Sequence, residues 1–198
     1  MTGELIGPAT PDMLIFQSVP RVYDPDVDTA EIETIMQSFF PELCYPGEST
    51  MMLDFYQRWC GYSISGETKE QKSIFFTGRG SNGKSALGSI HSKIWGDELC
   101  RSADMSSFKK GVAGNNDCIY QIRHTRNVFI SEGTDDKKMC EELFKKIVGE
   151  DTINASAKYI TGEAVVFPCK LTFFVNDMPK FENKVFYCSL YIYRLHCD

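Results

Sequence analysis

Long apolar runs are missing from this chain of 198 residues. No stretch approaches the ~20 apolar residues that a bilayer-spanning helix needs, and the start, Met1-Thr2-Gly3-Glu4, has neither the basic segment nor the apolar core of a secretory leader. The expectation is a protein with no membrane segment that is not secreted. An excess of positive charge is also missing: 21 Lys and Arg stand against 27 Asp and Glu, for a formal net charge of −6. That excludes a protein that coats nucleic acid through overall charge, but not one that grips a strand with a few cations in a channel. Cysteine itself is not scarce; what is absent among the eight is a CxxC pair or a regular spacing. Cys44, Cys60, Cys100, Cys118, Cys140, Cys169, Cys188 and Cys197 sit mostly in apolar stretches. Reduced, buried thiols in a cytosol-like compartment are expected rather than a disulfide scaffold. A zinc site from His196, Cys197 and a distant cysteine is the weaker alternative.

Proline nearly vanishes after residue 48. Pro8, Pro11, Pro20, Pro25, Pro41 and Pro46 precede that point, and Asp24, Asp26, Asp28, Glu31 and Glu33 make the same stretch acidic. Residues 1–48 therefore read as an irregular acidic extension with one short helix over Thr29–Phe40, where Ile32, Ile35, Met36 and Phe39 recur at helical spacing. Residues 49–70 read as a helical segment, with Met52, Phe55, Tyr56 and Trp59 in a stripe, Gly61 near the helix end and a polar connector from Gly66 to Lys72. From residue 71 to 198 the pattern changes to short buried strands between helices. Ser73–Thr77, Arg126–Glu132 and Lys170–Asn176 are near-continuous apolar strands, the last two ending in polar residues. Helices are expected over Ala86–Trp95 and over Lys137–Val148, the latter capped by Asp136 and stopped by Gly149. Phe108–Asn116 reads as loop. Buried strands alternating with helices predict an α/β fold with a parallel sheet.

Between the first strand and its helix lies Gly78-Arg79-Gly80-Ser81-Asn82-Gly83-Lys84-Ser85, the pattern of a phosphate-binding loop. Strand, glycine-rich turn and helix form the context in which backbone N–H groups converge on phosphate oxygens at a positive helix end. Gly78, Gly80, Ser81, Asn82, Gly83, Lys84, Ser85 and Ala86 are the candidate nucleotide-binding residues. Lys84 would reach the β- and γ-phosphates, and Ser85 would ligand Mg²⁺, so ATP with Mg²⁺ is the expected cofactor pair. Ligands of open α/β sheets bind at the carboxyl ends of the strands. That rule makes Glu132 a candidate to polarise water or hold the metal, and Asn176 a candidate to touch the γ-phosphate or position the water.

The Gly-x-Gly-x-Asn-Gly-Lys-Ser loop resembles that of superfamily 3 helicases, and within them the phage/plasmid-primase and poxvirus-type primase-helicase branch. Phe55–Gly66 is similar to the segment preceding the motor in that branch. Val128-Phe129-Ile130-Ser131-Glu132 resembles its Walker B strand, Lys145–Asp151 the start of its B′ motif, and Phe173–Pro179 its sensor-1 strand with a terminal Asn. The resemblance spans about residues 50–182. It implies a P-loop NTPase of AAA+ type acting in viral or mobile-element DNA replication, in the cytoplasm or at a viral replication site. It further implies a ring, usually a homo-hexamer, that hydrolyses ATP and moves 3′ to 5′ on single-stranded DNA at a replication fork. A β-hairpin between Asp151 and Phe167 would project into the channel, with arms Asn154–Ala157 and Ala164–Phe167 and with Lys158 and Tyr159 near its tip. Lys158, Tyr159 and Lys146, or its neighbour Lys145, are the candidate DNA contacts, since a cation pairs with phosphate and a ring stacks on sugar or base.

The stretch after residue 182 departs from the family. Val185–Asp198 is aromatic, holds Arg194 as its one arginine, and does not match the family's arginine-finger segment. It reads as a strand or as residues foreign to the fold. The C-terminal winged-helix segment and the N-terminal primase domain of full-length relatives are not seen, so primer synthesis is not expected. A missing finger would slow hydrolysis. Two other classes stay open: a P-loop enzyme of another kind, such as a small-molecule kinase, for which no Arg-rich lid is seen, and a truncated subunit that binds ATP without turnover.

Overall fold

The strand Ser73–Thr77 is buried throughout its length, and a strand apolar on both faces needs cover on both. The computed structural model, which describes residues 17–40, 47–78, 83–108, 117–131, 139–179 and 190–194 with Thr10, Asp12 and Phe181, supplies that cover. The elements run α1 (Ala30–Gln37), α2 (Ser49–Ile64), β1 (Ser73–Thr77), α3 (Lys84–Leu99), β2 (Cys100–Asp104), α4 (Asp117–Gln121), β3 (Asn127–Ser131), α5 (Glu141–Val148), β4 (Ile153–Ala157), β5 (Ile160–Val165), β6 (Lys170–Val175) and β7 (Leu190–Arg194). A 3-10 turn, Met105–Phe108, follows β2. Five strands form one sheet in the order β2-β3-β6-β1-β7, and every pairing in it is parallel. β4 and β5 pair antiparallel as a separate hairpin.

The expected α/β class with a parallel sheet is what folds, with five strands where the apolar runs marked three. β2 escaped notice because it is an edge strand: Cys100 and Ala103 are buried while Arg101, Ser102 and Asp104 face out, leaving no apolar run to read. β7, inside the aromatic tail, is the opposite edge, and pairs along β1 with Arg194 opposite Thr77.

Two apolar layers sandwich the sheet. Phe75, Val128, Ile130 and Phe173 pack on one side with Phe108, Phe144 and Ile147. Ile74, Phe76, Phe129 and Phe174 pack on the other with Tyr56, Trp59, Leu87 and Trp95 from α2 and α3. Register sets Phe75 opposite Phe173, where the rings stack with centroids 4.1 Å apart. α2 is also tied to the sheet by a buried polar relay. Trp59 Nε1 donates to Thr172 Oγ1 at 3.1 Å, and Thr172 donates to Asn127 Oδ1 at 3.1 Å. At the start of β6 the buried Lys170 ammonium lies 4.5 Å above the Tyr62 ring, and burial brings its pKa down to about 8.

The segment before α2 runs along α3. Gln17 reaches the Glu98 carbonyl, Arg21 donates to the Lys93 carbonyl at 3.0 Å, and Pro20 fills the space where a Cβ on Gly96 would stand, 2.8 Å away. Gly96, at φ +74, is where α3 breaks its helical course before ending at Leu99.

Several boundaries differ from the sequence reading. α1 is shorter than Thr29–Phe40, and its Ile32 and Ile35 stay half-exposed. α2 runs through Gly61 to Ile64; the turn at Gly66 (φ +56) lies beyond it, with the Arg126 guanidinium occupying the space a side chain there would need. α5 begins at Glu141 behind Cys140, so the expected start at Lys137 is corrected. The reason is that Cys140 is extended and its N–H is spent on the Phe108 carbonyl at 2.6 Å. Asp136, the expected cap, lies outside the described residues. The hairpin's second arm starts at Ile160 and ends at Val165, earlier than Ala164–Phe167, because Phe167 is fully buried in the core.

Among the described residues Cys60, Cys100, Cys118, Cys140 and Cys169 form no disulfide; Cys100 and Cys169 are buried and the other three half-buried, and burial pushes Cys60 and Cys169 up to about 12 and Cys100 to about 11. Cys44, Cys188 and Cys197 lie outside the described residues. Beside Cys60, His91 of α3 is buried between Tyr56, Trp95 and Phe129. Its Nε2 meets the Tyr56 hydroxyl and lies 3.6 Å from Cys60 Sγ. Burial lowers His91 to about 4 and holds Tyr56 well above its ordinary value, so Tyr56 donates to a neutral imidazole. Because the folded pKa lies below the unfolded ~6.5, the unfolded chain takes up the proton first as pH falls. Stability is full above pH ~6.5 and declines toward pH ~4. Urea denaturation should show a loss of about 2 kcal/mol between pH 7 and pH 5. His91→Gln should flatten that slope; an unchanged slope would remove His91 as its source.

Candidate functional site

A parallel sheet places all its strand ends on one edge, so polar residues far apart in sequence meet there. β1 ends in Thr77 followed by Gly78, β3 in Ser131, β6 in Val175 followed by Asn176, and α3 starts at Lys84. The Gly78 N–H donates to the Val175 carbonyl at 3.2 Å, carrying the β1–β6 pairing into the loop. Gly83 caps α3 at φ +81, a left-handed conformation that costs an L side chain roughly 1–2 kcal/mol. The Lys84 ammonium donates to the Gly78 carbonyl and so spans the loop it closes. A cavity of about 610 Å³ opens beside the loop, lined by Lys84, Ser85, Ser89, Ser131 and Asn176 with Phe129 and Phe174.

Of the residues singled out from sequence, Lys84, Ser85 and Asn176 line this cavity, and Gly78 and Gly83 frame its loop. Ala86 is exposed in the first turn of α3. Gly80, Ser81, Asn82 and Glu132 lie outside the described residues; Glu132 directly follows Ser131. Ser89, Ser92 and Ser102 also border the cavity and were not singled out. The signal for Ser89 and Ser92 was present, since Ser85, Ser89 and Ser92 recur at i, i+4 and i+7 on one face of α3. The Ser89 hydroxyl donates to the Ser85 carbonyl at 2.8 Å.

The donor set suits a magnesium-bound phosphate chain. Serine hydroxyls and an Asn carbonyl are hard oxygen donors, an ammonium stands beside them, and the glycine at 83 leaves the backbone open to a close approach. Among the described residues, no group of three or more His, Cys, Asp or Glu could hold a metal. His196 and Cys197, weighed for zinc, lie outside the described residues.

Lys158 and Tyr159 form the turn of the β4–β5 hairpin, where the sequence places the tip. The turn is pinned to α4: the Lys158 N–H donates to Asp117 Oδ1 at 2.9 Å, and Arg123 pairs with Glu163 on β5. Tyr159 is 94% exposed, adopts φ +67, and has the Lys158 ammonium 5.1 Å from its ring centroid. A bulky residue held in the left-handed region costs on the order of 1–3 kcal/mol. Lys146 is on α5, paired with Glu142 at 2.7 Å, which raises its pKa.

The sheet and cavity define the class: an α/β protein whose open parallel sheet carries a ligand-sized cavity at the carboxyl ends of its strands. The chain belongs to a family of unknown function, DUF5906, whose model matches residues 76–185. That span runs from β1 through the loop, α3, β3 and the hairpin to β6. A comparison with curated proteins finds no match. Among solved structures, the chain is similar in fold to the apo structure of the NrS-1 C-terminal region (305–718), with a TM-score of 0.60 and 12% identity over 82% of this chain and 37% of that one. The A form apo structure of the same region gives a TM-score of 0.57 at 11% identity, over 82% of this chain and 36% of that one. The chain thus spans little more than a third of the length of those structures. No helix among the described residues is long and apolar enough to cross a membrane.

Proposed function

We propose that this chain is the ATP-hydrolysing motor of a superfamily 3-type DNA helicase, built on an AAA+-type P-loop sheet and acting in viral or mobile-element DNA replication. The observation that carries the reading is that Lys84, Ser85, Ser131 and Asn176, drawn from two strand ends and a helix start, border one cavity beside a phosphate-loop sequence. The fold shared with the NrS-1 C-terminal region supports the comparison at the level of architecture. In this reading residues 71–198 form the motor core, 49–70 its helical lead-in and 1–48 an acidic extension.

Phosphoryl transfer to water is mostly positioning and charge neutralisation. Lys84 would bind the β- and γ-phosphates, and Ser85, backed by Glu132, would hold Mg²⁺, which would supply charge neutralisation on the phosphates. Glu132 orients the attacking water and accepts its proton. Asn176 fixes the γ-phosphate or that water from the neighbouring strand. The hairpin turn is the strand contact: Tyr159 stacks on a base or sugar and Lys158 meets a phosphate, with Lys146 a further cation toward DNA. A homo-hexameric ring would present six such turns to one strand.

ATP turnover measured with and without single-stranded DNA tests the reading. DNA should raise turnover in the wild type, and Lys158→Ala/Tyr159→Ala should keep basal turnover while losing most of the stimulation. Turnover that ignores DNA in the wild type would sink the motor reading and favour another P-loop enzyme. ATP binding without turnover would favour a non-catalytic subunit.

A further inference from the structure

The β4–β5 hairpin has little of its own to hold its turn in place. Its buried residues, Ala155 and Val165, lie away from the turn, and β5 is exposed from Ile160 to Ala164. The pairing shifts register between Ala155 and Ala157, and Tyr159 keeps its left-handed conformation at the tip. A two-stranded hairpin is marginal in water on its own. A strained turn at the end of one persists when its surroundings hold it.

The hold comes from α4 and the residues just beyond it. Ile119 and Ile122 are buried in the same apolar layer as Phe75 and Phe173, which fixes this stretch against the sheet. Asp117, the first residue of α4, accepts the Lys158 N–H at 2.9 Å. Arg123, two residues past the end of α4, donates through Nε to Glu163 of β5. Arg123 is itself set in place: its Nη1 donates to the Tyr120 carbonyl at 2.9 Å, and its guanidinium lies 3.8 Å from the Tyr120 ring centroid. One bond grips the turn and the other grips the strand leaving it.

Both acceptors are carboxylates on exposed residues. A carboxylate beside a turn that meets DNA repels the phosphates, so by charge alone Asp117 and Glu163 hinder binding. By geometry they favour it, because their bonds fix the backbone that carries Lys158 and Tyr159. Charge and geometry therefore predict effects of opposite sign when either carboxylate is removed.

We propose that Asp117 and Glu163 are positioning residues for DNA binding, holding Lys158 and Tyr159 in place although each carries the same sign of charge as the strand. The inference rests on the reading of the hairpin turn as the DNA contact.

The test follows binding of a fluorescein-labelled oligo-dT strand by anisotropy at one fixed salt concentration, with thermal melts of each variant. Asp117→Ala and Glu163→Ala should each weaken binding about fivefold, the loss of one hydrogen bond, with melts like the wild type's. Asp117→Asn and Glu163→Gln keep an accepting oxygen and shed the charge, so they should bind as tightly as the wild type or more so. Unchanged or tighter binding in the two alanine variants would overturn the proposal, as would equal losses in the alanine and amide variants. Should one alanine variant melt early, the other carries the test, since each breaks a different bond. Lys158→Ala/Tyr159→Ala tells the two readings apart. If it loses binding while the alanine variants at 117 and 163 do not, the positioning role alone falls. If it binds as the wild type does, or the wild type binds no DNA, the hairpin contact falls and the positioning role with it.

Discussion

If the loop binds ATP as proposed, Lys84→Ala should abolish ATP binding at concentrations that would saturate the wild type. Lys84 is the one side-chain cation in the first turn of α3 and its ammonium lies over the loop, bonded to the Gly78 carbonyl. Truncating one partner of a desolvated charge pair costs about 2–5 kcal/mol, so affinity should fall on the order of 100-fold. The alanine keeps the helix, because it is the best helix former, and a melt like the wild type's separates loss of ligand from loss of fold. Glu132→Gln is the companion experiment. It should spare binding, since the amide matches the carboxylate in size, and lower turnover by about 10² or more, the range ascribed to a positioned general base. Wild-type-like turnover in either variant would remove that residue from the site.

Phe173→Ala has the second large effect, on the fold itself. The ring is fully buried on the middle strand of the sheet, stacked on Phe75 and touched by Phe108 and Phe144. Truncating such a side chain costs about 3–5 kcal/mol through lost burial and the cavity left behind. For a chain of this size that should lower Tm by about 10 °C. Ile35→Ala makes a useful contrast: Ile35 is 51% exposed on α1, and its loss should move Tm by no more than a few degrees. Similar shifts for the two would contradict the layering described for the sheet.

What the sequence made legible follows from how strongly each element announces itself. β1, β3 and β6 are the strands covered on both faces, and continuous burial writes them as apolar runs in SIFFT, NVFIS and KLTFFV. β2 is covered on one side and open at its edge, so CRSAD carries no such run. The candidate site was legible where it depends on local geometry: the glycine at 83 and the lysine at 84 need to be neighbours in sequence to be neighbours in space. Ser131 and Ser102 join the cavity only through strand pairing, and nothing local marks them. Helix ends were misjudged where tertiary contacts outweigh local preference, as at Cys140, whose N–H bonds to Phe108. Phe39 looked like one more apolar position of α1; its contact with Gly83 spans 44 residues and exists only in the folded chain.

The strand order has a consequence for how the chain is made. β6 is inserted between β1 and β3, although it is synthesised after both. Until residues 170–175 have left the ribosome, β1 and β3 have no common neighbour, and each exposes an unsatisfied row of backbone groups beside an apolar face. The nascent chain must therefore carry two incomplete strands through most of its elongation, and closes the sheet late. Non-local parallel pairing of this kind is slow and exposes surfaces that aggregate. Synthesis rate and chaperone supply, rather than the depth of the final energy minimum, should govern the soluble yield of this protein.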